Sequence, residues 1–156
     1  MPEAGAAYVL NADLDFDIKF GQAGTIEGES IVDFNVSFQS GGANSGTYYV
    51  TGRAIKVLAG GTEVVLATGN SVAYDYTHTG GIKDTRSSLN MDIPNTTIHK
   101  GESLRLNMQV YCKNFEVGKG WFASDPADKK SFYYQTVAIF TRSSTLRFFV
   151  PFRIQL

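Results

Sequence analysis

The stretch Leu146-Arg147-Phe148-Phe149-Val150-Pro151-Phe152-Arg153-Ile154-Gln155-Leu156 puts an apolar side chain at every even position, with Arg147, Arg153 and Gln155 between them. Successive side chains of a strand point to opposite faces, so a period of two predicts one long β-strand with a single buried face. The same period recurs upstream. Leu14, Phe16, Ile18 and Phe20 alternate with Asp13, Asp15, Asp17 and Lys19, and Val32, Phe34, Val36 and Phe38 alternate with Asp33, Asn35 and Ser37. Leu104, Leu106, Met108, Val110 and Cys112 form a further row, and no helical period recurs anywhere in the chain.

Turn residues separate these runs. Gly21 to Gly24 ends the first, and the Gly/Ser/Asn cluster from Ser40 to Gly46 ends the second. Tyr48 to Leu58 reads as a strand whose parity shifts around Gly52 to Ala54, which predicts a β-bulge. Gly60-Gly61 marks a hairpin, and the return strand reaches Thr68 before Gly69-Asn70 turns the chain. Val72, Tyr74 and Tyr76 mark another strand, and Leu89, Met91 and Ile93 a further one, stopped by Pro94, which cannot donate to a ladder. Lys100-Gly101-Glu102 introduces the Leu104 row, and Phe132 to Phe140 is strand-like. The fold expected is all-β: one antiparallel β-sandwich domain over residues 1–156, jelly-roll-like, with about eight to ten strands.

Composition narrows the function. Fourteen Lys plus Arg against fifteen Asp plus Glu give a net charge of -1, without the basic footprint that nucleic acid demands. No apolar run reaches the length of a membrane span, about 20 residues. Met1 to Ala7 has neither a basic n-region nor an apolar h-region, so no secretory signal is expected. If Met1 is the native start, the protein is made in a cytoplasm; an extracellular location would follow if a signal had been removed. The sequons Asn35-Val36-Ser37 and Asn95-Thr96-Thr97 carry little weight without an export route. The single cysteine, Cys112, excludes an intramolecular disulfide and reads as a small core residue.

No catalytic residue, cofactor site or metal site is expected. Asp13, Asp15 and Asp17 have the alternate spacing of calcium ligands, but an extended strand holds them in a row instead of curling them around an ion. The stripe reads as a solvated strand face, with a surface calcium site or a patch for a basic partner as the competing readings. His78 and His99 lack metal-binding partners in sequence, and no nucleophile elbow occurs. Carboxylates such as Glu63, Glu102, Glu116 and Asp125 are too common to mark a glycosidase pair.

The chain carries eight tyrosines, eleven phenylalanines and one tryptophan, several of them adjacent: Tyr48-Tyr49, Trp121-Phe122, Phe132-Tyr133-Tyr134 and Phe148-Phe149. One member of each adjacent pair in a strand must leave the common core. Contact candidates are therefore Trp121, Phe122, Tyr48, Tyr49, Tyr133 and Phe149. Trp121 falls in a 19-residue stretch without any period, Lys113 to Ser131, which reads as a long loop. These features lead to the expectation of a non-enzymatic structural protein on a virion surface, a capsid decoration or minor capsid component. It would act as a homo-oligomer, a trimer by preference, within a larger protein assembly. The alternatives are a carbohydrate-binding module, with a glycan as partner, or a filament subunit joined by strand exchange.

Overall fold

The computed structural model describes residues 7–40, 44–78, 81–113, 118–123 and 146–154. Ten strands are found there: β1 (Val9–Lys19), β2 (Gly24–Ser40), β3 (Asn44–Val57), β4 (Glu63–Asn70), β5 (Tyr74–His78), β6 (Gly81–Ile98), β7 (Ser103–Lys113), β8 (Gly118–Ala123), β9 (Arg147–Phe149) and β10 (Phe152–Ile154). Sheet A has the order β1-β7-β3-β4, with β5 also on β3; sheet B has the order β10-β2-β6, with β8 and β9 also on β2. Every pairing is antiparallel. The all-β antiparallel class predicted from the alternation is what forms. The order establishes two packed sheets and does not establish jelly-roll topology. Among the described residues no helix is long and apolar enough to cross a membrane.

Strand β7 lies between β1 and β3. Its even residues Leu104, Leu106, Met108, Val110 and Cys112 are buried, and they meet Ile26, Val32, Phe34 and Val36 of β2 and Leu89, Met91, Ile93 and Ile98 of β6 in one core. Each fully buried aliphatic or aromatic side chain there contributes about 1.5–3 kcal/mol of transfer free energy. Cys112 is a core residue, 4% exposed, and burial pushes its thiol up from the ordinary value. Gly52 lets the sheets approach, since a Cβ there would stand 2.9 Å from Leu89 Cδ1.

The terminal alternation does not make one uninterrupted strand. It divides into β9 and β10 around Val150-Pro151, because proline lacks the N–H that would continue the ladder. Together with β8, these pieces complete one edge of β2: Ile26 pairs with Phe152, Ile31 with Phe149 and Asn35 with Ala123. Gly28, at φ 106°, lies where β2 passes this break, with Pro151 on one side. On the other side β6 carries Pro94, where the register shifts between Ile26 and Gly28. Pro94 therefore does not stop the strand as expected. The ladder skips it at the bulge and resumes at Thr96.

Other local expectations can be placed as well. The bulge expected in β3 is not there: β3 keeps unbroken register with β7 from Thr47 to Val57, and the shift at Ala54/Ile55 against β4 comes from the extra residue Leu66 on β4. In the β3–β4 hairpin, the Gly61 N–H donates to the Leu58 carbonyl at 2.8 Å, and Gly61 has φ 84°. Between β4 and β5, Ser71 bridges the gap: its N–H donates to the Val50 carbonyl at 2.8 Å, and its Oγ accepts from the Val50 N–H at 3.0 Å. The stretch Lys113 to Ser131 is not a continuous loop, because β8 lies within it; its remaining parts, and the expected strand at Phe132 to Phe140, fall outside the described residues.

A buried ion pair secures one end of the sandwich. Lys56 Nζ lies 2.8 Å from Glu102 Oε2 and donates to the Thr97 carbonyl at 2.8 Å, and the two side chains are 14% and 10% exposed. The His99 N–H donates to Glu102 at 2.7 Å, and Gly101, at φ 89°, shapes the turn between them. Burial alone would raise the Glu102 carboxyl, but the His99 amide and the Lys56 ammonium outweigh it and hold the group below its ordinary value.

Two outcomes are expected in urea unfolding. A Cβ at Gly69 would stand 2.1 Å from the Asn90 carbonyl oxygen, whereas at Gly21 it would meet nothing within 4 Å. Gly69→Ala should therefore cost about 1–3 kcal/mol and Gly21→Ala much less. Glu102→Gln should destabilise near neutral pH by stranding Lys56. Because the folded Glu102 value is depressed, wild-type stabilisation is present above the unfolded value and fades as pH falls through the folded one, so the difference should shrink in acid.

Candidate binding face

The outward row of β7 is Arg105, Asn107, Gln109, Tyr111 and Lys113, alternating with the buried row. Register places acids from β1 beside it: Asp13 opposite Gln109, Asp15 opposite Asn107 and Asp17 opposite Arg105. On the other flank β3 sets Tyr49 opposite Tyr111, Thr51 opposite Gln109 and Arg53 opposite Asn107. Cross-strand partners share a face, so these three strands build one polar and aromatic surface on the outside of sheet A.

Its polar part is a connected lattice. Asn107 Nδ2 donates to Asp13 Oδ1 at 2.6 Å and Asp15 Oδ1 at 2.8 Å, and Gln109 Nε2 donates to Asp13 Oδ2 at 3.0 Å. The Tyr111 hydroxyl donates to Gln109 Oε1 at 3.0 Å. Arg105 grips Asp17 with two bonds, Nε to Oδ1 at 2.7 Å and Nη2 to Oδ2 at 3.0 Å. Its Nη1 reaches Glu63 of β4 at 2.6 Å and Asp15 at 3.3 Å. The hydrogen bond from Arg105, with its charge, holds the Asp17 carboxyl below the usual range, while that same bond raises the guanidinium. Asn107 is only 7% exposed, and its Oδ1 accepts no hydrogen bond among the described residues.

The aromatic part adjoins this lattice. Tyr49 and Tyr111 stack with centroids 5.0 Å apart and planes 7° apart, and Tyr8 meets Tyr49 edge-on at 4.8 Å. Lys113 Nζ lies 4.9 Å over the Tyr8 ring. All three rings are half-buried. The face thus sets half-buried aromatic rings beside exposed carboxylates that the buried amides of Asn107 and Gln109 hold in position. Among the described residues no group of three or more His, Cys, Asp or Glu side chains is arranged to hold a metal ion. Asp13 and Asp15 are instead tied to one amide nitrogen.

Of the contact candidates expected from sequence, Tyr49 alone joins this face. Tyr48 is 1% exposed, so its assignment as a contact residue is corrected: it belongs to the core, stacked on Tyr74 at 5.2 Å, and burial pushes its phenol up. Phe149 is 51% exposed on β9, in register with Ile31, far from the tyrosines along the fold. Trp121 and Phe122 lie in β8, not a loop, at the register positions of Ser37 and Val36. Tyr133 falls outside the described residues, as do Glu116 and Asp125. Glu63 and Glu102 are spent on Arg105 and Lys56 respectively. Sequence reasoning missed Tyr8, Arg105, Asn107, Gln109 and Tyr111. The alternation in β7 already implied an outward row; what it lacked was the identity of the neighbouring strands.

No family model matches the chain, and no curated protein matches it. Among solved structures it is similar to a CocE/NonD family hydrolase from Staphylococcus aureus, at a TM-score of 0.49 and 13% identity over 96% of this chain and 33% of that one. A second crystal structure of a CocE/NonD family hydrolase from the same organism aligns at a TM-score of 0.41 and 10% identity, over 74% and 32%. The chain thus spans about a third of the hydrolases' length. The expectation of a virion surface component is corrected here: the two solved structures named are CocE/NonD family hydrolases, not virion proteins. At these TM-scores the likeness transfers no activity to this chain.

The lattice has a testable energetic signature. Asn107→Asp would replace the Nδ2 donor with a third carboxylate facing Asp13 and Asp15, turning two charge-assisted bonds into repulsion. A loss of about 3 kcal/mol is expected near neutral pH by urea unfolding. Like-charge contact raises folded carboxyl values, so this loss should diminish as the pH falls through the carboxylate range, about 4.

Proposed function

We propose that this chain is a non-catalytic binding module that recognises a glycan on the outer face of sheet A. The observation that carries this reading is the continuity of the Tyr8–Tyr49–Tyr111 cluster with the Asp13–Asn107–Gln109 lattice across β1, β7 and β3. A sugar ring presents apolar C–H surface and a girdle of hydroxyls. Aromatic rings suit the first, and oriented amide and carboxylate groups suit the second. Specific sites pair apolar lining with a few well-placed polar groups, and here both kinds are fixed before any ligand arrives.

The face also supports a non-catalytic role. Glycoside hydrolysis needs one carboxyl raised enough to donate a proton beside a second that remains ionised. Asp17 moves the other way, downward under Arg105.

Affinity electrophoresis against a panel of soluble polysaccharides tests the proposal. Retardation by at least one polymer is expected. Tyr49→Ala and Tyr111→Ala should each weaken it about tenfold while the far-UV circular dichroism stays that of a β-sandwich. Arg86→Ala, on the outer face of sheet B where Arg86 pairs with Asp33, should leave binding intact. Migration unaffected by every polymer would overturn the reading.

A further inference from the structure

Arg53 of β3 lies on the outer face of sheet A, opposite Asn107 of β7 on one flank and Thr68 of β4 on the other. It is half-buried, and among the described residues it makes no ion pair, hydrogen bond or ring contact. The other basic groups of the face are placed differently. Arg105 holds Asp15, Asp17 and Glu63, Lys113 lies over the Tyr8 ring, and Lys19 stands beside Asp17 in the outward row of β1. Even the Oδ1 of Asn107, on the cross-strand neighbour, accepts no hydrogen bond, so the Arg53 guanidinium is not spent there. The aliphatic stem of an arginine can cover apolar surface, but a methionine would do so without taking an unpaired charge partly out of water. Folding alone therefore leaves the charge of Arg53 without a purpose.

The surroundings of Arg53 add donors. Asn70 gives its Oδ1 to the Thr51 hydroxyl at 2.7 Å, which leaves its Nδ2 as the end able to donate, and Thr68 carries an exposed hydroxyl. The acids of the face stand elsewhere: Asp13, Asp15 and Asp17 lie beyond β7 on β1, Glu63 is held by Arg105, and Asp75 accepts from Thr47 at 2.9 Å. A planar guanidinium among neutral donors is matched by a carboxylate, which it grips with two parallel hydrogen bonds. Tyr49 stands four residues back on the same outward row of β3, about 13 Å away at the usual strand rise, so an extended sugar chain reaches from ring to guanidinium. We infer, resting on the glycan reading, that the ligand is a uronic acid chain, with one carboxylate on Arg53 and neighbouring sugar rings against Tyr49 and Tyr111.

Isothermal titration tests this with oligomers of matched length from pectate, alginate and hyaluronan, each set against its carboxyl-reduced form, in which the same linkages carry neutral sugars. At least one acid oligomer should bind about tenfold or more tightly than its reduced form at low salt, the range of a charge-assisted hydrogen bond, with the advantage shrinking as salt screens it. Arg53→Gln should bring the acid oligomer down to the affinity of the reduced one, leaving the binding of the latter and the urea midpoint unchanged. Arg86→Ala, on sheet B, should preserve the preference. If no acid oligomer binds, if each reduced form binds as tightly as its acid, if the preference survives Arg53→Gln, or if that variant loses most of its stability, the uronate inference falls and the polysaccharide panel alone judges the glycan reading. If the panel fails as well, both fall.

Discussion

The register of β7 against β1 and β3 is the constraint on which the rest depends. This strand supplies Leu104, Leu106, Met108, Val110 and Cys112 to the core and Arg105, Asn107, Gln109 and Tyr111 to the outer face, residue by residue in alternation. A slip of one residue would turn the five apolar side chains to solvent and drive an arginine, two amides and a tyrosine inward. Burial of the apolar row thus fixes the position of the polar one. The same slip would move Asp13, Asp15 and Asp17 away from their partners, so core packing and the surface lattice select the same pairing.

Two ion-pair arrangements act on this framework in different ways. Lys56 and Glu102 are buried where the end of β3 meets the turn that leads into β7. Their mutual attraction works against desolvation, and the Thr97 carbonyl and His99 amide complete their hydrogen bonding. The Arg105 cluster is more open, and its acids are about 39–47% exposed, so solvent and salt screen it and its contribution to stability is small. What Arg105 provides is geometry. By holding Asp17 at two points and reaching Asp15 and Glu63, it fixes acids from β1 and β4 around one guanidinium. The first pair specifies how the chain turns; the second specifies what the surface presents.

The period of two made the fold class legible, because alternation over eleven residues such as Leu104 to Cys112 and its flanks admits no helix. Local breaks were read unevenly. Gly60-Gly61 declared its hairpin through glycine, whereas the parity shift at Gly52 to Ala54 pointed to a bulge in β3 when the extra residue, Leu66, lies in its partner β4. Pro151 stands within the most regular alternation of the chain, and there the apolar pattern outweighed a missing N–H that the ladder could not ignore. Pro94 was misjudged in the opposite direction, since a bulge opposite Gly28 removes the need for its donor. Tyr48 and Tyr49 show why a site is harder to read than a fold. Adjacency requires that one ring leave the core, but which one leaves depends on the pairing with Cys112 and Tyr111, a contact more than sixty positions away in the chain. The acidic row was visible as a stripe. Its partners Asn107 and Gln109 were not, because nothing in a single sequence states that the first strand lies beside the seventh.

A polar lattice on the outside of a sheet is an unusual place to invest so many hydrogen bonds if stability alone were at issue, since exposed polar contacts return little. Asn107 and Gln109 are both almost fully buried, and Asn107 is satisfied on one side only, so it contributes less to folding than an apolar residue of its size would. Its Nδ2 holds two carboxylates at a separation they would not keep on their own, and Gln109 repeats the arrangement one step along toward the tyrosines. Holding like charges together costs free energy, which the amide hydrogen bonds offset. The Tyr111 hydroxyl, bonded to Gln109, joins this lattice to the stacked rings of Tyr49 and Tyr111, so the bonds that place the acids also place the rings beside them.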